Sequence, residues 1–248
     1  MRLDRALVER GLARSRSQAA QAIADGLVQV DGVTVRKPAL PVTPETQIEA
    51  RQQTWVSRAA TKLLGALTES GTHVAGRVLD AGASTGGFTQ VCLARGAELV
   101  YAVDVGHSQL AEEIRRDPRV VVREGLNVRD ITLADVEQQP VDLLVADLSF
   151  ISLQLVLGPL LALVRPDGVA LLLVKPQFEV GRDRLGSGGI VADPADRAAA
   201  VAEVIDAAAK LGWRCDWQGQ SSLPGTHGNV EFFVRLRPTS DSSVSKVG

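Results

Sequence analysis

A chain of 248 residues, 45% hydrophobic and 23% charged, has room for one large soluble domain and one small one. A net charge of −2 excludes a protein that is cationic throughout, and two cysteines, Cys92 and Cys215, are too few for a disulfide framework, so both read as small buried hydrophobes in a reducing compartment. Arg2, Asp4, Arg5 and Glu9 interrupt any leader-like start, and the longest apolar stretch, 151–164, holds Gly158-Pro159 and is too short to span a bilayer, which argues for the cytoplasm and against insertion.

The charge is uneven. Residues 1–37 carry seven Lys/Arg against four Asp/Glu, and the remainder carries 20 against 25. A basic arm on an acidic body suits a polyanion partner for the arm. Residues 1–50 make a first unit. Leu3, Leu7 and Val8 repeat at helical spacing up to Gly11. Ser15 caps a second helix that carries Ala19, Ala20 and Ile23 and stops at Gly26. Leu27 to Val30 and Val33 to Val35 flank Asp31-Gly32, a strong hairpin signal, and Ile48 marks a last short strand. The runs Arg2-Leu3-Asp4, Gly11-Leu12-Ala13-Arg14-Ser15-Arg16-Ser17-Gln18-Ala19, Val28-x-Val30-Asp31-Gly32 and Lys37-Pro38 resemble the small RNA-binding domain named after ribosomal protein S4. The resemblance implies one basic face that grips folded RNA through its phosphates, with Arg14, Arg16, Arg36 and Lys37 on it.

Residues 51–57 read as a linker. Ser57 is expected to cap a helix over 58–69 whose buried side carries Ala59, Leu63, Ala66 and Leu67, with Lys62 off that side. Beyond Val74 strands alternate with helices, so an α/β fold with a mostly parallel, doubly wound, Rossmann-like sheet is expected over 58–238. The strands fall at 77–80, 99–103, 120–122, 142–146, 169–174 and 230–236, and the helices at about 86–95, 107–116, 152–163 and 194–211. The glycine-rich loop 176–193 has the length of a functional lid, and 239–248 reads as a disordered tail.

The first βα turn, Leu79-Asp80-Ala81-Gly82-Ala83-Ser84-Thr85-Gly86-Gly87-Phe88, has the small residues that let a ligand approach the main chain. No lysine follows, as a phosphate loop would need, and the glycine spacing is not the dinucleotide fingerprint. Asp104 closes the next strand, where a carboxylate accepts the two hydroxyls of an adenosine ribose. A glycine turn and a strand-end acid without a diphosphate grip suit S-adenosylmethionine. Asp80, Gly82, Ser84, Gly86, Gly87, Phe88, Asp104 and Asp147 are the expected donor contacts, with Asn127 in the loop 127–130 beside the adenine. No metal is expected.

Asp147 and Lys175 leave neighbouring strands at the same edge, Glu231 is the lone acid in an apolar strand, and Lys62 precedes the sheet. Each alone fits a plain structural role, Lys175 as an exposed strand end and Asp147 as a helix cap. Together they suit a hydroxyl acceptor. Asp147-Leu148-Ser149-Phe150 lacks the prolines of exocyclic base methylation, and neither cysteine lies at a strand edge to attack a pyrimidine carbon. Lys175 suits a general base once desolvation and the second cation, Lys62, disfavour its charged form, with Asp147 orienting it and Glu231 steering Lys62 or the hydroxyl. Phe150 is placed either to stack on a base or in the core, and Arg58, Arg182 and Arg184 are placed to hold RNA phosphates.

The turn, Val174-Lys175-Pro176-Gln177-Phe178-Glu179-Val180-Gly181, Trp55-Val56-Ser57-Arg58 and Gly228-Asn229-Val230-Glu231 resemble the FtsJ-like ribose methyltransferases, and the whole chain resembles the TlyA family, known both as hemolysins and as ribosomal-RNA 2′-O-methyltransferases. The resemblance implies a Lys62, Asp147, Lys175, Glu231 tetrad, S-adenosylmethionine as donor and cytidine ribose in ribosomal RNA, within a ribosomal subunit, as target. It implies the large-subunit 23S RNA first and the 16S RNA as an extension. A non-catalytic RNA-binding assembly factor and a membrane-active toxin are the rival readings; hydropathy speaks against the second. Nothing in the sequence sets the oligomeric state.

Overall fold

The computed structural model describes residues 1–13, 15–24, 26–50, 55–225 and 228–239, with the side chains of Gln21 and Arg182 outside the description as well. Arg14, the Arg182 side chain, linker residues 51–54 and tail residues 240–248 therefore lie outside the described residues. The chain divides into two compact units, Met1–Thr54 and Trp55–Gly248.

In the first unit α1 (Leu3–Glu9) and α2 (Arg16–Ala24) pack on a small antiparallel sheet of β1 (Val28–Val30), β2 (Val33–Thr34) and β3 (Ile48–Ala50), in the order β2-β1-β3. Leu3, Leu7, Ala19, Ile23 and Val28 form the core. Ser15 Oγ accepts the N–H of Gln18 and so caps α2. Asp31 and Gly32 both take positive φ, which the tight hairpin turn requires. Asp4 is buried, and its carboxylate accepts from Arg2, from Arg16 and from the N–H of Arg5.

The second unit is a seven-stranded sheet. Its strands are β4 (Arg77–Ala81), β5 (Leu99–Asp104), β6 (Val120–Glu124), β7 (Val141–Ala146), β8 (Val164–Val174), β9 (Trp213–Gln220) and β10 (Phe232–Pro238). They run in the order β6-β5-β4-β7-β8-β10-β9, parallel except for β10, which pairs antiparallel with both β8 and β9. Among the described residues six α-helices complete it: α3 (Ala59–Ser70), α4 (Gly87–Ala94), α5 (Glu112–Arg115), α6 (Leu157–Leu161), α7 (Pro176–Glu179) and α8 (Pro194–Lys210). Successive strand residues face opposite ways. Val78, Val100, Leu171 and Leu173 meet α3 and α4, while Leu79, Tyr101, Leu172 and Val234 meet α6 and α8. Each fully buried leucine contributes about 2 kcal/mol. The consequence is a sheet covered on both faces, so ligands are left the edge where the parallel strands end.

Several expectations are corrected. No strand was expected at 213–220, yet β9 forms one edge of the sheet, with Trp213, Cys215 and Trp217 less exposed than the residues between them. The helix expected over 107–116 shrinks to α5, because Ser108 has φ of 55° and its N–H is taken by Glu124. The helix expected over 152–163 becomes a 3-10 turn, Leu153–Leu155, followed by α6. Glu231 lies just before β10 rather than in it. Ser57 does not cap α3; no side chain does, and its carbonyl accepts the N–H of Ala60. Lys62 is buried rather than off the buried side. Trp55 packs on the core beside α3 and α4, and the loop after α7 places Val180 and Val191 against Ala200 of α8.

Candidate active site

β4 delivers Asp80 and the glycine turn to the C-terminal edge. The N–H groups of Gly82 and Ala83 both reach Val103 O of β5, at 2.8 and 3.0 Å. Gly82 has φ of 86°, and a Cβ there would lie 2.7 Å from the backbone oxygen of Asp147, so only glycine lets the loop after β7 pass this close. Gly86, at φ 94°, caps α4; a Cβ on Gly87 would strike Ser57 Oγ, which ties that glycine to packing against the start of α3. The Phe88 ring is buried and stacks on Phe233 at 6.2 Å, so the expected donor contact at this position falls to its backbone.

Asp104 stands at the end of β5. Its Oδ2 accepts the N–H of Ser84 at 2.8 Å and its Oδ1 that of Gly106 at 2.7 Å. Each carboxylate oxygen keeps a lone pair for a further donor. Leu126 N–H bonds Asp104 O, which sets the adjoining Asn127 beside this corner. Val105 is 68% exposed there, an apolar side chain next to an acid. Asp80 is fully buried. Thr89 donates to its Oδ2 at 2.6 Å, and Oδ1 has no partner. Burial pushes its carboxyl up to about 7, Thr89 opposing and the nearby Asp147 adding to the rise. A turn that only glycine permits, a strand-end carboxylate with spare lone pairs and an orphaned acid form a cradle that fits a cationic adenosine ligand.

Four charged side chains meet in two tight pairs. Lys175, leaving β8, places Nζ 2.7 Å from Asp147 Oδ1 and 2.8 Å from Ser149 Oγ; only the serine contact is aligned as a hydrogen bond, so the first is an ion pair. Lys62 Nζ lies 2.6 Å from Glu231 Oε2. Gln177, two residues after Lys175, donates to Glu231 Oε1 at 3.2 Å. A Cβ on Gly225 would strike Glu231, so that glycine makes the acid's room. All four are largely buried, which demands pairing.

The expected RNA contacts are scattered. Phe150 is 91% exposed with φ of 64°, a strained conformation for an aromatic residue, and its ring lies 5.3 Å from that of Phe178. Exposure removes the core alternative for it. Arg58 reaches Pro224 O. Arg184 lies 3.7 Å from both Asp196 and Glu203 of α8. In the first unit Arg16 is tied to Asp4, Arg36 donates to Ala24 O, and Lys37 is exposed. Sequence reasoning passed over Ser149, Gln177 and Glu179, although the last two stand in the run 174–181 that carried the resemblance. Among the described residues no group of three or more His, Cys, Asp or Glu is placed to hold a metal ion.

The family model for FtsJ-like methyltransferases matches residues 55–238, and that for the S4 domain matches residues 1–48. The chain is 50% identical to the 16S/23S rRNA (cytidine-2′-O)-methyltransferase TlyA of Mycobacterium tuberculosis, over 100% of this chain and 93% of that one. It is 37% identical to Hemolysin A of Brachyspira hyodysenteriae, over 95% and 99%. A solved structure of a putative hemolysin from Streptococcus thermophilus superposes with a TM-score of 0.77 at 36% identity, over 97% and 89%.

Proposed function

The chain belongs to the FtsJ-like methyltransferases that carry an S4 domain, and on that premise we propose that it methylates the 2′-hydroxyl of cytidine in ribosomal RNA, with S-adenosylmethionine as donor. The large-subunit 23S RNA is the first substrate, and the 16S RNA the second. The observation that carries the reading is the two pairs at the sheet edge, Lys175 with Asp147 and Lys62 with Glu231, the second also bonded by Gln177 of the β8 turn.

Asp104 would hold the donor's ribose, Asn127 and Val105 would flank its adenine, and the turn from Asp80 to Gly86, with the first N–H groups of α4, would hold the rest. The donor supplies a methyl already activated on a cationic sulfur, so positioning provides much of the remaining catalysis. The Lys175 ammonium first releases a proton to solvent; its free amine then takes the proton of the ribose hydroxyl as general base, and Asp147 holds the ammonium that results. Lys62, fixed by Glu231, orients the hydroxyl. Phe150 stacks on the base of the target nucleotide. Arg16, Arg36 and Lys37 of the small domain, together with Arg14, grip phosphates; Arg58, Arg182 and Arg184 do so on the catalytic domain. The site of action is the cytoplasm, where ribosomal RNA is found. Against the toxin reading, no helix among the described residues is long and apolar enough to cross a membrane.

The test is purified protein with S-adenosylmethionine and ribosomal RNA or subunits, ribose methylation being mapped by the stop it places on primer extension at low nucleotide concentration. Wild type marks a cytidine and Lys175→Ala does not. A mark at wild-type rate from Lys175→Ala overturns the base assignment; a methyl found on a base overturns the acceptor.

A further inference from the structure

Glu179, the last residue of α7, sends its carboxylate across to the loop that follows β7. Oε2 accepts the Ser152 hydroxyl at 2.6 Å, and Oε1 accepts the N–H of Leu153 at 2.8 Å. Ser152 Oγ in turn accepts the N–H of Gln154 at 3.2 Å, which caps the 3-10 turn Leu153–Leu155. The two ends of this strap are not neutral ground. One end lies four residues after Lys175 and two after Gln177. The other lies five residues after Asp147, three after Ser149 and two after Phe150. Among the described residues, Asp147, Ser149 and the Phe178 ring 5.9 Å away meet the Lys175 amine, and all three come from these two short segments.

The Glu179 carboxylate is half-buried, and such a group costs desolvation unless its donors are well placed. Burial raises the Glu179 carboxyl above its ordinary range, and Ser152 and Leu153 pull against that rise. α7 has four residues, a single turn that is marginal by itself. Beside the burial of Pro176 and the packing of Val180, side-chain ties fix its position, and Glu179 supplies two.

We propose that Glu179 is a positioning residue: its carboxylate straps the β7 loop to the β8 turn and thereby sets Lys175 against Asp147 and Ser149. The inference rests on the proposed role of Lys175. A displacement near 1 Å at a reacting group lowers turnover by about 100-fold, so loss of the strap acts on turnover rather than on binding.

Three variants test it in the full-length protein. Glu179→Leu removes both acceptors at similar volume. Glu179→Gln keeps the carbonyl for Leu153 and offers its amide to the Ser152 hydroxyl, which is able to accept. Ser152→Ala removes one tie only. Expected are a kcat about 10- to 100-fold down for Glu179→Leu, with KM for RNA and calorimetric affinity for S-adenosylmethionine within about 2-fold; a kcat within about 3-fold of wild type for Glu179→Gln; and an intermediate loss for Ser152→Ala that adds nothing on top of Glu179→Leu. Should Glu179→Leu not fold, Glu179→Gln and Ser152→Ala carry the test by the same figures. Wild-type kcat in folded Glu179→Leu, or Glu179→Gln as impaired as Glu179→Leu, overturns the proposal. Lys175→Ala run alongside separates the two readings: if it turns over normally the base assignment fails; if it is inactive while Glu179→Leu is normal, the strap alone fails.

Discussion

Asp4 in the small unit and Asp80 in the catalytic unit are both buried, and their surroundings are opposite. Asp4 is ringed by donors, two of them exposed arginines, and these hold its carboxyl down at about 2. Asp80 has one hydroxyl and an orphaned oxygen, and burial holds its carboxyl up at about 7. The first arrangement stabilises a marginal core. The second weakens a large one, at the place where a cationic donor is proposed to bind. Buried charge in the small unit is thus a structural device, whereas in the crevice its proposed role is to meet a ligand, beside two further ion pairs that apolar side chains of similar volume could replace without loss of stability.

The largest effect should come from the crevice. Asp147→Ala, which leaves Lys175 without its carboxylate, is expected to lower methyl transfer by about 100-fold or more, read as label incorporated into ribosomal RNA; near-normal transfer would place that pair with Asp4 as mere structure. Next, Lys62→Met strands Glu231 and should cost about 3–5 kcal/mol in denaturant unfolding. The double variant Lys62→Met with Glu231→Leu should recover most of that stability and none of the activity. Third, Asp80→Asn should change the pH profile of stability. A carboxyl raised in the folded state holds its proton while the unfolded chain loses it, so wild-type stability falls as pH rises from about 4 to about 7. The variant should lack that fall, and thermal melts across the range read it directly. The smallest effect is Asp4→Asn, about 2 kcal/mol at neutral pH. Its sign is reversed: a depressed carboxyl stabilises above about 4 and ceases to as pH falls towards about 2. The gap between wild type and Asp4→Asn should therefore close in acid; a constant gap would mean packing, not charge, distinguishes the two sites.

Strand and helix alternation, the glycine turn and the strand-end positions of Asp104, Asp147 and Lys175 were legible because they depend on local pattern and on where parallel strands end. β9 was not. Its residues alternate between half-buried and exposed on an edge, and Arg214, Asp216, Gln218 and Gln220 hide the few apolar ones. Lys62 comes three residues after Ala59 and four before Ala66, so helical spacing sets it along the apolar stripe of α3 and only its charge spoke for exposure. Its burial is explained by Glu231, 169 residues away, which no window contains. Ser149 and Gln177 escaped for the same reason, their partners lying 26 and 54 residues off. The loop 105–111 resisted a helical pattern because Glu124 captures the N–H groups of Ser108 and Gln109 from outside.

The sheet order has a temporal consequence. β10 is the last of the seven strands to be made, yet it sits inside the sheet, between β8 and the edge strand β9. In chain order the turn from Asp80 to Gly86 and the Lys175–Asp147 pair are made before Glu231 exists, so a half-synthesised chain holds the proposed donor cradle and base and lacks the partner of Lys62. On the proposed reading, the constellation is complete only once synthesis has reached β10.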